Sequence, residues 1–297
     1  MSGPVNSGIE TCVEVMEGVT ELKIKGVLGR QESTSQPTPS IVESLIILAA
    51  IGVLSAFMVV PGIFAFWTIS ILSLLTVLAI AFRFIQAIHL LLFAVSWIGL
   101  PLIVPALGFW PQILLLPIVI YALVVAATPN LRRSILWLRA GRLTSDILIL
   151  MLATIALSSI ALVGWYLLFR PDLSSHLVMI PKMPVWLLPL ACLGFAMLNA
   201  AMEEIVFRGI MMQALDSALG KGNLTLLIQA GSFASFHYLA GFPNGVWGFA
   251  MVFVFGFMLG VLRRRSQGIL APWIAHVLAD MAIFAILATV LLTSKTF

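Results

Sequence analysis

The chain has 297 residues, of which 61% are hydrophobic and 9% are charged, and its mean hydropathy is +1.13. Soluble domains carry about 25% charged residues, so this composition excludes a soluble globular protein and indicates an integral membrane protein. Long, nearly charge-free apolar segments favour an all-α, polytopic helical bundle over an alternating β-barrel. The net charge of +4 is explained by basic loops and requires no nucleic-acid partner.

The first 40 residues predict a polar N-terminal tail outside the membrane bundle. Acidic residues in its first half could lie on a short amphipathic helix, and residues 31–40 have the composition of a linker. The tail lacks the apolar core of a cleavable signal peptide. Cys12 in this tail and Cys192 in a later apolar segment predict neither a disulfide framework nor a zinc site.

Nine apolar segments follow the tail, each close to the ~20 residues that cross the hydrocarbon core of a bilayer. We therefore predict about eight to nine transmembrane helices, and the weak break at Pro61-Gly62 leaves counts of eight to ten open. The segments lie at 41–60, 64–82, 85–107, 111–128, 147–169, 185–214, 223–240, 246–262 and 269–292.

Basic residues gather in the loops on one side of this arrangement. They include Arg83, the arginines within 132–142, Lys221, and Arg263 to Arg265. The positive-inside rule places this side in the cytoplasm, which gives a cytoplasmic N-terminus in a plasma membrane of bacterial type. Residues 130–146 combine arginines with apolar side chains and predict an amphipathic helix at the cytoplasmic interface.

Two carboxylates and an arginine stand in the sixth apolar segment, at Glu203, Glu204 and Arg208. Each charged group costs roughly 2.5–3.5 kcal/mol to insert into a bilayer, so their presence there indicates a function. Glu204 and Arg208 are four residues apart on one helix face, in the order that favours an ion pair. Glu203 lies about 100° away around the helix and is free for chemistry.

Further polar groups follow in the seventh and ninth segments. Phe233 and His237 are four residues apart in one, and His276 and Asp280 are four residues apart in the other. A Glu, two His and an Asp that converge in a bundle can perform general acid–base chemistry on water. Counting helical rise from the cytoplasmic side places His237 deeper than the other groups, so a kinked or tilted seventh helix would be needed.

Other candidates are interpreted as structural. His89 and His176 have no partners in the sequence pattern, and the ring of Phe233 is expected to pack rather than to contact a substrate. Gly256 and Gly260 form a small-xxx-small pattern that favours close packing of two helices, although it could also serve a dimer.

The three polar motifs resemble those of the CAAX protease and bacteriocin-processing (CPBP, or Abi) family, which includes the type II CAAX prenyl endopeptidases. The matching pattern is Glu-Glu-x-x-x-Arg at 203–208, Phe-x-x-x-His at 233–237 and His-x-x-x-Asp at 276–280. The resemblance covers about residues 185–293. We therefore divide the chain into a polar tail (1–40), N-terminal transmembrane helices (41–146) and a catalytic membrane core (147–297).

The resemblance implies an intramembrane endopeptidase that needs no metal or other cofactor. Glu203 and His237 would activate a water molecule, and His276 with Asp280 would form the oxyanion site. Many family members have Asn where this chain has Asp280. An Asp donates a hydrogen bond only when it is protonated, so Asp280 is either protonated or orients His276 instead.

The resemblance gives the remaining motif residues a supporting role. Glu204 and Arg208 would brace their helix, and Phe233 would support the site by packing. The implied partners are the lipid bilayer and a peptide or protein substrate that approaches from the membrane or the cytoplasmic face. Whether that substrate is prenylated or related to bacteriocins is left open, and so is the oligomeric state.

Three alternatives also remain open. Glu203, His237, His276 and Asp280 could bind zinc, although no His-Glu-x-x-His pair is present. A non-catalytic protein of the same family could use the pocket to bind a peptide or to confer bacteriocin immunity. A proton-coupled transporter could relay protons through the same groups, but the second Glu-Glu-Arg segment that an internal repeat would supply is missing from 41–146.

Overall fold

The computed structural model describes residues 40–60, 64–177, 180 and 183–293. The predicted tail therefore lies outside the described residues, apart from Ser40. The described part of the chain is helical and contains no strand, which confirms the predicted polytopic helical bundle.

The helices follow the predicted apolar segments closely. They are α1 (Ile41–Val59), α2 (Ala65–Ala81), α3 (Ile85–Ile103), α4 (Gln112–Ala127), α5 (Pro129–Ser134), α6 (Ser145–Phe169), α7 (Ser174–Leu177), α8 (Leu188–Glu203), a π-helix (Glu204–Met211), α9 (Met212–Leu219), α10 (Asn223–Ala240), α11 (Gly245–Ser266) and α12 (Leu270–Thr293). Short 3₁₀ turns at Pro105–Gly108 and Val185–Leu187 precede α4 and α8.

Among the described residues, six helical segments are long and apolar enough to cross a membrane. Three shorter or more polar helices occupy the other predicted spans: α2 has 17 residues, α4 has 16, and α10 carries Gln229, Ser232 and His237 within its 18 residues. Every predicted span thus corresponds to a helix. The protein is an integral membrane protein, while the count of eight to nine crossings and the cytoplasmic N-terminus stay predictions.

One large apolar core joins the N-terminal helices to the helices that carry the polar motifs. Ile47 of α1 and Trp97 of α3 are buried in the same cluster as Phe207 of the π-helix and Phe233 of α10. Apolar side chains therefore pack continuously across residue 146, the boundary predicted from the sequence. A second cluster, which includes Met151, packs α6 against α11 and α12.

The predicted amphipathic helix at 130–146 is wrong. Helix α5 ends at Ser134, and residues 135–144 have no helical structure. The backbone of this 135–144 segment is instead hydrogen-bonded to the loop between α11 and α12. Arg142 N–H donates to Ser266 O at 2.9 Å, and Ile269 N–H donates to Arg139 O at 2.8 Å. Pairing with a distant loop satisfies backbone groups that a helix would have paired internally.

Two glycines allow this close approach. Gly141 has φ +87°, a conformation that favours glycine, and a Cβ added to Gly268 would collide with the carbonyl oxygen of Ala140. The 135–144 segment is also attached to α9, because Gln213 Oε1 accepts hydrogen bonds from the backbone N–H groups of residues 136 and 137. The segment therefore connects α9 to the start of α12.

The two histidines outside the motifs do have partners. His89 is buried between α4 and α5, where its Nδ1 lies 2.8 Å from Tyr121 Oη and its Nε2 lies 2.8 Å from Ser134 Oγ. His176 donates from Nε2 to the carbonyl oxygen of Gly241 at 3.3 Å. Both contacts fit the structural role expected from the sequence, but the expectation that these residues have no partners is wrong.

Candidate active site

The two adjacent glutamates lie where one helical geometry changes into another. Glu203 is the last residue of α8, and Glu204 is the first residue of the π-helix Glu204–Met211. π-Turns inside helices are uncommon and occur frequently at functional sites. Both glutamates are buried, with 3% and 1% of their surfaces exposed. Burial of two carboxylates requires specific partners.

Glu204 has the partner that the sequence predicted. Arg208 Nη1 lies 2.9 Å from Glu204 Oε1, and both side chains are buried. The guanidinium group also donates from Nη2 to Gly256 O at 3.3 Å and lies 4.3 Å from the ring centroid of Phe233. Arg208 therefore links the π-helix to α10 and α11, which is the bracing function expected for this pair.

Glu204 makes a second contact that the sequence did not reveal. His276 Nδ1 lies 2.8 Å from the same oxygen of Glu204 that contacts Arg208. A carboxylate paired with a guanidinium group accepts, so the Nδ1–H of His276 is the donor. Glu204 thus fixes the orientation of the His276 ring and leaves Nε2 facing Glu203. This assigns the orienting role to Glu204, where the sequence had suggested Asp280.

The Oε2 atom of Glu203 faces both histidines but forms no direct hydrogen bond with either. Its Oε2 atom lies 3.5 Å from His276 Nε2 and 3.9 Å from His237 Nε2. This oxygen is buried and has no hydrogen-bond partner. His237 donates from Nδ1 to Phe233 O at 3.0 Å, so in its neutral form Nε2 is an acceptor. Glu203 Oε2 and His237 Nε2 are therefore two acceptors that face each other.

Asp280 contacts His276 on one side and an unexpected residue on the other. Its Oδ1 lies 3.6 Å from His276 Nε2, and its Oδ2 accepts a hydrogen bond from Asn199 Nδ2 at 3.2 Å. Sequence reasoning missed Asn199. A signal was available, because Asn199 is a polar residue in an apolar helix and lies four residues before Glu203, on the same face.

Phe233 packs beneath the polar groups, as expected. Its ring centroid lies 4.9 Å from that of Phe207, 4.6 Å from that of His237 and 6.0 Å from that of His276. A Cβ added to Gly256 would lie 2.9 Å from Phe233 Cδ1, so the glycine allows α11 to approach this ring closely. The small-xxx-small pattern therefore serves packing of α10 against α11 within the chain.

The depth count called for a kinked or tilted seventh helix, and the structure shows no interruption in that helix. Helix α10, which carries His237, runs without interruption from Asn223 to Ala240. The irregularity lies instead in the sixth segment, where the π-helix follows Glu203. The 3.9 Å separation between His237 Nε2 and Glu203 Oε2 is longer than a hydrogen bond.

An apolar cavity of about 340 Å³ leads to these groups. Helices α6, α11 and α12 form its walls, and His237, His276 and Asp280 lie along its polar end. The lining includes Leu157 and Val254, whose side chains are largely exposed on the outer surface of the bundle. The cavity therefore connects the polar groups with the surface that faces lipid.

The residues described by the structure include no group of three or more His, Cys, Asp or Glu side chains placed to hold a metal ion. The zinc alternative therefore gains no support from the geometry of these side chains.

Comparison with known proteins identifies one family. Residues 184–282, about a third of the chain, match the family model described as type II CAAX prenyl endopeptidase Rce1-like. This range includes α8, the π-helix and all of the motif residues from Glu203 to Asp280. No curated protein and no solved structure matches the chain. The family resemblance predicted from the three motifs is confirmed, and at the level of this family the chain is similar to intramembrane CAAX-type proteases.

Proposed function

We propose that this protein is a glutamate-dependent intramembrane endopeptidase in which Glu203 and His237 activate the water that attacks the peptide bond. The observation that carries this proposal is the buried, unpartnered Oε2 of Glu203, which lies 3.9 Å from the Nε2 acceptor of His237. Two acceptors at this separation suit one water molecule, which can donate a hydrogen atom to each.

A water that donates to both acceptors has its lone pairs directed away from them, so a lone pair is free to attack a carbonyl carbon. Glu203 takes a proton from the water as the oxygen attacks the carbonyl carbon, and His237 keeps the water in place. The tetrahedral intermediate then expels the amine, to which Glu203 returns the proton. Carboxylic acid and amine products form without any other reactant.

His276 is the candidate donor to the developing oxyanion. Its Nδ1–H is held by Glu204, so only Nε2 is available to the substrate, and Nε2 donates when the ring is an imidazolium. Asp280 Oδ1, 3.6 Å from Nε2, stabilises that form when ionised, or donates its own proton to the oxyanion when protonated. A buried donor that points at the oxyanion position lowers the barrier, because it needs no reorganisation during the reaction.

The cavity suits a substrate with an apolar group beside the scissile bond. Its walls are almost entirely apolar, and it reaches the lipid-facing surface between α6 and α11. The description of the matched family refers to prenyl endopeptidases. We therefore include a prenylated peptide in the proposal, with its lipid group in the cavity and its peptide bond at Glu203.

Peptide hydrolysis by the purified protein in detergent tests this function. Wild type, Glu203→Gln and the matched control Asp146→Asn, which changes an exposed carboxylate at the start of α6, would be assayed with prenylated and unprenylated forms of the same peptides. We expect Glu203→Gln to lower kcat by about 10²- to 10⁴-fold while Asp146→Asn cleaves normally.

Folding of each variant would be checked by thermal unfolding, and each assay would be repeated with a chelator. Undiminished cleavage by a folded Glu203→Gln would refute the role of Glu203. Loss of cleavage to the chelator would indicate a metal-dependent reaction instead. Binding of the prenylated peptide without any cleavage would favour a non-catalytic peptide-binding protein.

A further inference from the structure

A chain of hydrogen bonds leads from the candidate catalytic groups to the loop before α4. Asp280 Oδ2 accepts from Asn199 Nδ2 at 3.2 Å, and Asn199 Oδ1 accepts from Trp110 Nε1 at 3.2 Å. Asn199 and Trp110 belong to none of the three sequence motifs. Trp110 also lies outside the part of the chain that matches the family.

The direction of each hydrogen bond in this chain is fixed by chemistry. The indole nitrogen of Trp110 can only donate, so it selects the amide oxygen of Asn199. The amide nitrogen is thereby turned towards Asp280, and it too can only donate. Asp280 Oδ2 is consequently an acceptor, and Oδ1 is the oxygen left to face His276 Nε2.

The indole ring packs against α8, which in turn packs against α12, and these two helices carry the other members of the chain of hydrogen bonds. Its centroid lies 4.3 Å from that of Phe195, which lies 4.9 Å from that of Phe284. Phe195 is four residues before Asn199 on α8, and Phe284 is four residues after Asp280 on α12. Aromatic packing therefore positions the indole N–H beside the amide oxygen.

We propose that Asn199, oriented by Trp110, is a positioning residue that holds Asp280 with Oδ1 directed at His276 and the cavity. This inference rests on the proposed function, because it concerns the reaction assigned to that site. Asn199 itself touches neither the substrate nor the water. It determines which atom of residue 280 faces the substrate and the water.

The proposal makes different predictions for two substitutions that both keep a hydrogen bond between positions 199 and 280. In Asp280→Asn, the new amide must accept from Asn199, so its oxygen faces Asn199 and its NH₂ group faces His276 and the cavity. A donor is then directed at the oxyanion position. This variant is the reference for the exchange of residues 199 and 280, because it already carries the substitution of Asp280.

Exchanging the two residues, in Asn199→Asp combined with Asp280→Asn, reverses the hydrogen bond. The carboxylate at 199 now accepts from both Trp110 and the amide at 280. The amide oxygen at 280 is therefore turned towards His276, and no donor of residue 280 faces the oxyanion position. We expect this double variant to unfold at the temperature of wild type while its kcat falls about 100-fold below that of Asp280→Asn, with KM unchanged.

The experiment measures kcat, KM and thermal unfolding for wild type and these two variants. Trp110→Phe is included because it keeps the ring but removes the N–H, and a several-fold decrease in kcat with unchanged unfolding is expected. Cleavage by the exchanged variant at the rate of Asp280→Asn would overturn the proposal, since the hydrogen bond would then be merely structural.

Failure of the proposed function would look different. Glu203→Gln in the same assay would then cleave like wild type, whatever the variants at 199 and 280 do. The unfolding temperatures test the hydrogen bond independently of cleavage. Asn199→Asp alone places two carboxyl groups 3.2 Å apart and should lower the unfolding temperature, and adding Asp280→Asn should restore it. Absence of that restoration would also overturn the proposal.

Discussion

Replacing Glu204 by Gln is expected to destabilise the bundle far more than the same replacement of its neighbour Glu203. One oxygen of Glu204 forms an ion pair with Arg208 Nη1 at 2.9 Å and accepts a hydrogen bond from His276 Nδ1 at 2.8 Å, in a region with almost no solvent exposure. Gln has the same size but no charge, so the substitution leaves the guanidinium group of Arg208 buried without its counter-ion.

The magnitude follows from these contacts. Removing one partner of a buried ion pair costs about 3–5 kcal/mol of unfolding free energy, because the other charge is left uncompensated. The hydrogen bond to His276 is not added separately, since the same oxygen makes both contacts. Glu203 Oε2 has no hydrogen bond to lose, so Glu203→Gln should cost about 1 kcal/mol or less while abolishing most cleavage.

Unfolding in mixed micelles, followed by circular dichroism as denaturing detergent is added, measures these differences. Asp216→Asn is a matched control, because it breaks a 2.6 Å ion pair with Arg264 whose side chains are about one-fifth exposed. A pair with access to solvent should contribute about 1 kcal/mol or less. Similar unfolding free energies for Glu204→Gln and Glu203→Gln would refute the division of roles between the two glutamates.

Three further predictions concern packing, the 135–144 segment and metal. Gly256→Ala places a Cβ 2.9 Å from Phe233, so it should lower the unfolding free energy by about 1–3 kcal/mol in the same assay and also lower kcat. Gly231→Ala is the control, because its Cβ would meet no atom of a neighbouring element closer than 4.0 Å, and it should change neither quantity. Gln213→Leu removes the acceptor of the backbone N–H groups at 136–137 and should lower the unfolding free energy by about 1–3 kcal/mol without changing kcat per folded molecule. A fall in kcat would contradict a purely structural role for Gln213. A chelator should leave the cleavage rate unchanged; a loss restored by added zinc would contradict metal-independent hydrolysis.

The positions of the helices could be predicted from the sequence because apolar runs and helix length are local properties. The pairing of Glu204 with Arg208 was also local, since four residues separate two groups on the same helix face. The motifs at 233–237 and 276–280 likewise follow from helical spacing. Their convergence with Glu203 is a hypothesis from the rarity of polar groups in apolar segments, which the resemblance then supports, and the structure brings these side chains together.

The contacts between distant parts of the chain were not predictable in this way. Residues 130–146 have the composition of an amphipathic helix, but their backbone pairs with a loop that lies more than 120 residues later. The contact of Glu204 with His276 and that of Asn199 with Asp280 each join two helices across the bundle. Such contacts depend on helix rotation and packing, and periodicity along one segment does not determine them.

The pairing of the 135–144 segment also means that the part of the chain matching the family depends on hydrogen bonds from residues outside it. A fragment that began at Val185 would leave the N–H groups of Ile269 and Leu270 and the carbonyl of Ser266 without their partners, at the point where α12 begins. That helix carries His276 and Asp280. The 135–144 segment, in the first half of the protein, thus holds the start of α12 in place. We expect a fragment without it to require residues 135–144 to be supplied in trans.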